Sequence, residues 1–363
     1  MNITKPTLIL DEEKCKANIA FMSNKARQFD LELRPHFKTH QSLDIGQWFK
    51  DVGVSKITVS SIDMAEYFAE TWDDITIAFP VNILEINRLN KLALKVTLNV
   101  LIESVIVSLF LKQHLEHSVN FLIKLNIGNN RTGLLAGQTE IINAIIKITN
   151  DSKNLNFIGF LGHAGQTYNC RNRAQILAAH KKAKNIIVSL KNKYKSEYPE
   201  VIASYGDTPS CSVAQNFDGL DEIRPGNFVF YDAMQVNIGC CNYTNIAVAM
   251  ACPVVAIHKD RCELVIYGGG IHFSKDWITN NGAPVFGYIA QRNGNVWNDI
   301  VSDMYVKALS QEHGIVSLPE TLINKYTIGD IIYVLPVHSC MTADLMKYYK
   351  TFSGRNISMM TNH

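Results

Sequence analysis

The sequence predicts an α/β fold, namely a (β/α)8 TIM-like barrel followed by a C-terminal β domain. Two patterns lead to this prediction. Over about 220 residues, short apolar runs alternate with longer amphipathic runs, as strands and helices alternate in such a barrel. After about residue 240, strand-like runs come one after another, separated by turns such as Gly268-Gly269-Gly270. We place the barrel at residues 12–240 and the β domain at 241–363, which residues 1–11 join as a strand.

Each predicted element rests on its apolar spacing. A first strand covers Pro6–Asp11, and the helix after it opens with Asp11, Glu12 and Glu13, since acidic residues suit a helix N-terminus. An open doubly wound sheet is the competing topology, but no G-x-G-x-x-G loop comes after the first strand. The predicted barrel strands are Leu31–Phe37, Ile57–Ser60, Ile75–Phe79, Lys95–Val100, Asn120–Asn126, Leu155–Leu161, Val201–Tyr205 and Val229–Phe230. The predicted strands of the β domain are Ile246–Ile257, Glu263–Tyr267, Val285–Ala290 and Ile331–Leu335.

Composition excludes several classes of protein. Lys plus Arg number 35 and Asp plus Glu 33, so a net charge of +2 gives no reason to expect nucleic acid or an anionic membrane as a partner. The 8 cysteines include no C-x-x-C pair, which argues against a zinc ribbon or a disulfide framework and indicates a reducing compartment. The N-terminus has no apolar signal region, and the most apolar stretch is interrupted by Asn99 and Glu103. We expect a soluble, cytoplasmic protein.

Lys38 lies in Arg34-Pro35-His36-Phe37-Lys38-Thr39-His40, after a predicted strand. Catalytic groups of a barrel lie at the carboxyl ends of its strands. A lysine beside an aromatic residue can be desolvated, which lowers its pKa and makes the amine nucleophilic towards a carbonyl. We therefore expect a Schiff-base lysine, for which pyridoxal phosphate (PLP) is the commonest aldehyde partner. A surface lysine with two incidental histidines is the alternative.

Two further side chains come directly after predicted strands. His163 lies in Gly162-His163-Ala164-Gly165, where glycines let the backbone approach a ligand closely, although a structural histidine is the alternative. Arg131 lies in Asn126-Ile127-Gly128-Asn129-Asn130-Arg131-Thr132-Gly133. Its guanidinium could donate to a phenolate or carboxylate oxygen, or pair with a surface acid instead.

Two loops suit a phosphate group. Tyr205-Gly206-Asp207-Thr208-Pro209-Ser210 combines glycine with hydroxyl residues at a strand end. Arg224-Pro225-Gly226-Asn227 is a turn with free donors that leads to Tyr231. Barrels often hold phosphate in the loops after their last two strands, which is where both of these loops fall.

A metal site is predicted near the C-terminus. His338 and Cys340 come after the predicted strand Ile331–Leu335, and side chains two apart on an extended segment point the same way. Imidazole plus thiolate favours Zn²⁺, and two protein ligands leave positions open for substrate and water. Two β-domain residues without a metal are the alternative. Glu312 and His313, in Gln311-Glu312-His313-Gly314, could orient a ligand or form an exposed polar turn.

Taken together, these stretches resemble the D-serine dehydratase / D-threonine aldolase family, PLP enzymes of fold type III with an alanine-racemase-like barrel. The resemblance covers almost the whole chain, and the set of stretches is specific although no single one is. The matching stretches are Arg34–His40, Gly162–Gly165, Tyr205–Ser210, Arg224–Asp232, Gln311–Gly314 and Pro336–Cys340.

The resemblance implies a role for each candidate residue. Lys38 is expected to bind PLP covalently, Arg131 to approach the phenolate side of PLP, and His163 to act near the reacting centre as a base or as ring support. His338 and Cys340 are expected to bind the metal beside the substrate hydroxyl. A homodimer is also implied. The residues expected around the phosphate or the ring are Tyr168, Gly206, Thr208, Gly226, Asn227 and Tyr231.

The resemblance leaves the reaction open. Aldolase-type members more often show His-x-Asp at the metal site and dehydratase-type members His-x-Cys, so His338 and Cys340 favour a dehydratase that acts on D-serine, D-threonine or 3-hydroxy-D-aspartate. Thiolate favours Zn²⁺, whereas carboxylate suits Mn²⁺ or Mg²⁺. A D-threonine aldolase is the first alternative. An amino-acid racemase is a more distant one, because it needs a second base and no metal.

Overall fold

Two sheets organise the molecule. The structure is a computed structural model and describes residues 2–361. Within these residues, eight parallel strands form one sheet and nine strands form a second, mostly antiparallel sheet. The first strand of the chain, β1 (Thr7–Leu10), belongs to the second sheet. The strands of the parallel sheet are β2 (Glu32–Leu33), β3 (Ile57–Val59), β4 (Asp74–Pro80), β5 (Thr97–Ile102), β6 (Val119–Leu125), β7 (Leu155–His163), β8 (Ile202–Gly206) and β9 (Glu222–Ile223).

The parallel sheet closes into a barrel. Its order is β2-β9-β8-β7-β6-β5-β4-β3, so β2 and β3 are its two ends. Just beyond β2, His36 forms a parallel bridge with Thr58 of β3, and the amide of Phe37 donates to the Thr58 carbonyl at 2.8 Å. These contacts join the two ends, which confirms the predicted TIM-like barrel.

Helices surround the barrel. The first helix begins where the acidic residues predict it, because the Asp11 carboxylate caps it by accepting from the amide of Lys14 at 3.1 Å. In the part of the chain that the structure describes, no helix has both the length and the apolar character that crossing a bilayer requires. The helices of this region are α1 (Glu12–Gln28), α2 (Leu43–Asp51), α3 (Ile62–Phe68), α4 (Ile86–Ala93), α5 (Val105–His114), α6 (Thr139–Asn150), α7 (Arg173–Tyr194), α8 (Thr208–Val213) and α9 (Ala233–Asn237).

The barrel interior is partly apolar and partly ionic. Leu101, Leu122 and Leu161, from three neighbouring strands, form a buried apolar cluster. Arg34, the residue after β2, is also buried, and it pairs with Glu222 of β9 at 2.6 Å. A buried guanidinium must be paired to be tolerated, so this ion pair fixes the start of the Lys38 segment against β9.

The second sheet comes after the barrel in the chain. Its further strands are β10 (Val248–His258), β11 (Glu263–Tyr267), β14 (Gly287–Asn293), β15 (Val296–Leu309), β16 (His313–Ser317), β17 (Ile331–Pro336), β18 (Tyr348–Thr351) and β19 (Asn356–Ser358), while β12 (Ile278–Asn280) and β13 (Ala283–Val285) form a separate hairpin. The helices here are α10 (Gly270–Phe273), α11 (Glu320–Ile323) and α12 (Ser339–Met346). Because β1 pairs antiparallel with β10, the N-terminal strand joins this sheet as predicted.

One predicted barrel strand is wrong. Val229–Phe230 is not the last strand, because Asn227–Val229 is a 3₁₀ helix. The last strand is Glu222–Ile223, which is only two residues long and includes the glutamate that pairs with Arg34. A short apolar run does not distinguish a strand from a helical turn. The domain limits at 12–240 and 241–363 stay a prediction.

Candidate active site

A cavity of about 370 Å³ opens at the carboxyl end of the barrel, where the second sheet meets it. Its volume falls in the range of small-molecule sites. Its lining combines residues at or after the ends of β2, β6, β7, β8 and β9 with residues that come after β11 and after β17. The lining includes eight of the predicted site residues, Lys38, Arg131, His163, Tyr168, Gly226, Asn227, His338 and Cys340, together with His36, Asn129, Gly165, Asp207, Arg224, Asp232, Met234, Gln235 and Asp276.

Lys38 lies in the cavity wall and is exposed. The expected desolvation by aromatic neighbours is not observed, because the Phe37 ring turns away into the core and packs edge-on against Trp72 at 5.2 Å. On the other side, the Thr39 hydroxyl lies 3.2 Å from the Cys340 sulfur. Lys38 is therefore placed at the cavity by two buried neighbours. Phe37 packs in the barrel core, and Thr39 contacts Cys340, which with His338 forms the predicted pair of metal ligands (the metal pair).

His163 ends β7 and lies in the cavity wall as a neutral imidazole. Its Nδ1 lies 2.8 Å from the carbonyl of Gly206, which can only accept, so Nδ1 carries the proton and Nε2 is an acceptor. Burial, together with the positive charges of nearby side chains, lowers the pKa of His163 to about 3. These cations, which make this wall of the cavity electropositive, are Lys38, Lys124, Arg131 and Arg224.

The two predicted phosphate loops meet at the cavity. The Gly226 amide donates to the Thr208 hydroxyl at 3.3 Å, and the Thr208 amide donates to the Tyr168 hydroxyl at 3.4 Å. A Cβ at Gly226 would lie 3.0 Å from the Cβ and carbonyl oxygen of His36, so the backbone leaves little room for a side chain here. The prediction that both loops serve one site is consistent with their contact in space.

Among the described residues, three predicted cofactor residues lie behind the cavity wall rather than in it. Gly206 supports His163 by accepting from its ring, and Thr208 supports Tyr168 and Gly226 through its amide and hydroxyl. Tyr231 is buried, and its hydroxyl lies 3.0 Å from that of Ser212. Gly206 and Thr208 thus hold wall residues in place, and Tyr231 packs deeper in the core.

His338 and Cys340 lie side by side, but not for the predicted reason. The segment is not extended throughout, because His338 is the residue directly before α12 and Cys340 lies in the first turn of that helix. Burial lowers the pKa of His338, but hydrogen bonds with Asp276 and Cys340 outweigh it and raise the pKa to about 11. Burial raises the pKa of Cys340, but the neighbouring His338 outweighs it and the net shift is downward. The His338 ring and the Cys340 thiol are hydrogen-bonded to each other, and the downward shift favours the thiolate, which is the form of cysteine that binds a metal.

The buried carboxylate of Asp232 connects the segment of His338 and Cys340 to the barrel by hydrogen bonds. Asp232 caps α9 and accepts from Asn227 Nδ2 at 2.6 Å and from the backbone amide of Ser339 at 3.0 Å. Asn227 Nδ2 also lies 3.5 Å from the Cys340 sulfur. The start of α12 is thus fixed against the Gly226 loop by hydrogen bonds among buried side chains.

Several cavity residues are not predicted as site residues from the sequence. Arg224 and Asp207 lie within the two phosphate loops. Burial lowers the pKa of Arg224 to about 10, and its guanidinium donates to the carbonyl of Gly162 at 2.9 Å. Burial raises the pKa of Asp207 to about 6, although the carboxylate accepts from the Thr167 hydroxyl at 3.0 Å. Asp276 lies in a loop with no predicted strand directly before it, so it has no sequence signal.

The Gln311–Gly314 turn lies outside this cavity lining. Its backbone instead packs against the glycine turn that leads into α10. The amide of Gly268 donates to the Glu312 carbonyl at 2.9 Å, and a Cβ at Gly269 would lie 2.3 Å from the carbonyl oxygen of Gln311. The Gln311–Gly314 turn and the Gly268–Gly270 turn are thus in close backbone contact beside the start of α10.

Family models match both parts of the chain. Residues 10–233 match the model described as "Alanine racemase, N-terminal domain", and residues 247–352 match the "Putative serine dehydratase domain". The first match covers more than half of the chain, so the chain belongs to the alanine racemase N-terminal domain family. The second match identifies a serine dehydratase-type domain after the barrel.

The chain is also similar to individual dehydratases and to an aldolase. The chain is 27% identical to the D-serine dehydratase of Dictyostelium discoideum over 98% of this chain and 95% of that protein. It superposes on D-threo-3-hydroxyaspartate dehydratase from Delftia sp. HT23 with a TM-score of 0.91 and 22% identity, covering 100% and 99% of the two chains. D-Threonine aldolase from Filomicrobium marinum has the same fold, with a TM-score of 0.83, 18% identity and 99% and 97% coverage. A cysteine-to-alanine mutant of a D-threo-3-hydroxyaspartate dehydratase has also been solved in the metal-free form.

The residues present fit the two groups that these relationships imply. For PLP, a family cofactor, the cavity offers an exposed lysine, an electropositive wall around His163, and the Thr208–Gly226 contact where glycine allows close approach. For a metal, the thiolate of Cys340 and the imidazole of His338 are suitable ligands. Within residues 2–361 no three His, Cys, Asp or Glu side chains cluster as a metal site, and His338 and Cys340 both line the cavity.

Proposed function

We propose that the protein is a PLP- and zinc-dependent lyase that eliminates water from a D-β-hydroxy amino acid, and that the enamine product then takes up water to give a 2-oxo acid and ammonia. The observation that carries the proposal is the placement of Lys38 and the His338–Cys340 pair in the wall of one cavity, connected through the 3.2 Å contact between Thr39 and Cys340. When bound, PLP supplies an electron sink for negative charge at Cα, and a zinc ion supplies a Lewis acid that polarises the β-hydroxyl.

Lys38 has two tasks in this proposal. Its Nζ would hold the cofactor covalently, and the same amine would be the base that takes the proton from Cα. Because Thr39 contacts Cys340 and the charge of Lys38 acts on the same thiol, the amine and the predicted metal ligands serve one region of the cavity. The proton and the hydroxyl of the substrate are then handled by neighbouring groups, as elimination of water requires.

His163 supports the cofactor ring in this proposal. A base and a ring support are its two candidate roles, and a pKa of about 3 makes Nε2 a weak base near neutral pH. Its Nδ1–H is fixed on the carbonyl of Gly206, so the imidazole is held in one orientation. Arg131, from the loop after β6, adds positive charge to the wall near His163.

Cys340 favours dehydration over aldol cleavage. An aldolase must deprotonate the β-hydroxyl and break the Cα–Cβ bond, whereas a dehydratase must make the hydroxyl a better leaving group. A thiolate ligand favours Zn²⁺ as the Lewis acid for that step, and the relative from Dictyostelium discoideum is a D-serine dehydratase. The substrates that we propose are D-serine, D-threonine and 3-hydroxy-D-aspartate.

Replacement of Lys38 tests this function. We expect Lys38→Ala protein to lose the visible absorption band of lysine-bound PLP and to lose turnover of D-serine by a factor of at least ~10², because a general base contributes about 10²–10⁴-fold. Lys38→Arg is the matched control, since it keeps the positive charge but cannot form the covalent link, and it should lose the band as well. Full turnover in either variant would exclude Lys38 as the reacting amine.

A further inference from the structure

Asp276 is not one of the two predicted metal ligands, but it contacts one of them, His338. It lies in the loop between α10 and β12, in the wall of the cavity, and its Oδ2 lies 2.7 Å from His338 Nδ1. Nothing in the sequence pattern around Asp276 indicates a role. The contact joins residues 62 positions apart in the chain, and it depends on how α10 packs on α12.

The hydrogen bond determines which ring nitrogen of His338 can face a metal. A carboxylate at neutral pH only accepts, so His338 Nδ1 carries a proton, and Nε2 is the nitrogen whose lone pair a metal can take. Histidines that bind metals commonly donate their second ring nitrogen to a carboxylate, which fixes the ring orientation and raises the basicity of the ligating nitrogen. The Asp276–His338 pair has this arrangement.

Asp276 is itself held in place. The Ser274 hydroxyl donates to Asp276 Oδ2 at 3.1 Å, and the Asp276 amide donates back to the Ser274 oxygen at 3.2 Å. On the other side, the Thr342 hydroxyl of α12 donates to the carbonyl of Phe273 at 3.1 Å. The loop of Asp276 is therefore connected to the same helix that bears Cys340, so both members of the metal pair are positioned by one local structure.

We propose that Asp276 is a positioning residue that orients His338 for metal binding and sets the metal affinity of the site. This inference rests on the proposed function, because it assumes that His338 and Cys340 bind a metal. It goes beyond that function by assigning a role to a residue outside the pair.

The test is zinc affinity, measured by competition with a chromophoric chelator on metal-depleted, PLP-loaded protein. We expect zinc binding to weaken about 10–100-fold in Asp276→Ala, with a smaller loss in Asp276→Asn, whose amide oxygen can still accept from His338 but has no charge. The visible absorption of PLP should be unchanged in both variants. This control would show that the barrel side of the cavity is intact.

Asp344→Asn is the matched control. Asp344 of α12 is also a half-exposed carboxylate of this region, with 44% exposure against 42% for Asp276, and its partners are Lys347, just after the helix, and Gln41 rather than His338. The zinc affinity of the Asp344→Asn protein should stay within about twofold of that of the unmodified protein. A half-exposed charge that does not contact His338 or Cys340 should have little effect on zinc binding. If both Asp276 variants also bind zinc within twofold, the positioning role is wrong while the metal site stands. If the unmodified protein binds no zinc, the metal in the proposed function is wrong, and the role of Asp276 is wrong with it.

Discussion

Gly133 shows how closely the Arg131 loop is fitted to the barrel. Its φ of +103° is in the region that favours glycine, and a Cβ there would lie 2.4 Å from the carbonyl carbon of Leu125. The loop returns to its own strand at this point, because the Asn126 amide donates to the Leu134 carbonyl at 2.9 Å. A side chain at Gly133 would push the loop away from the end of β6.

We therefore expect Gly133→Ala to lower the free energy of unfolding by about 1–3 kcal/mol, from backbone overlap and the strained φ. It should also lower kcat/KM, since Arg131 would move with the loop. Gly137→Ala is the control, because no atom lies within 4 Å of its Cβ position. Equal unfolding free energies for the two variants, measured by urea denaturation, would mean that the loop is not held as we describe.

For single residues, the sequence predicts the side chains that come directly after a strand and misses those that reach the site from elsewhere. Lys38, Arg131 and His163 can be found because strand ends converge in a barrel. Asp276 cannot, because only the packing of α10 on α12 brings it to His338. The expected desolvation of Lys38 is wrong for a related reason, since a neighbour in sequence need not face the same side of the chain.

Among the elements, β18 and the residues after β19 contact the segment just after Lys38. The buried Tyr349 hydroxyl of β18 donates to the carbonyl of His40 at 2.8 Å, and the amide of Met360 donates to the carbonyl of Gln41 at 2.7 Å. Both acceptors lie within three residues of Lys38 in the chain. The second sheet thus positions the lysine as well as the metal pair.

Tyr349→Phe tests this contact. The change leaves the buried carbonyl of His40 without its donor, so we expect a loss of about 1–3 kcal/mol in the free energy of unfolding and weaker retention of PLP on dialysis. Tyr348→Phe, at the neighbouring and less buried position, should retain PLP as the unmodified protein does. Equal PLP retention in the two variants would show that β18 does not position Lys38.

Element prediction succeeds where apolar runs are long and fails where a strand is short and charged. The strand before His163 is predictable because Leu155–His163 has nine residues with a continuous apolar segment. The strand Glu222–Ile223 is not predicted, because one of its two residues is a glutamate. The burial of Glu222 depends on its ion pair with Arg34, which follows the neighbouring strand β2. Such an ion pair has no signature in hydrophobic periodicity.

In the whole molecule, neither sheet contains the complete site. The barrel supplies Lys38 and His163, and the segment after β17 supplies His338 and Cys340. Asp232 joins these parts through its hydrogen bonds to Asn227 and Ser339. The proposed reaction therefore depends on the docking of the second sheet against the open end of the barrel.

Turnover of D-serine, D-threonine and 3-hydroxy-D-aspartate by PLP-loaded protein, with 2-oxo acid and glycine measured in parallel, decides between the proposed reaction and its alternatives. We expect 2-oxo acid and ammonia from at least one substrate, loss of that product when a chelator removes the metal, and its recovery when Zn²⁺ is added back. Glycine and an aldehyde in place of the 2-oxo acid, or 2-oxo acid formation that the chelator leaves unchanged, would overturn the proposal.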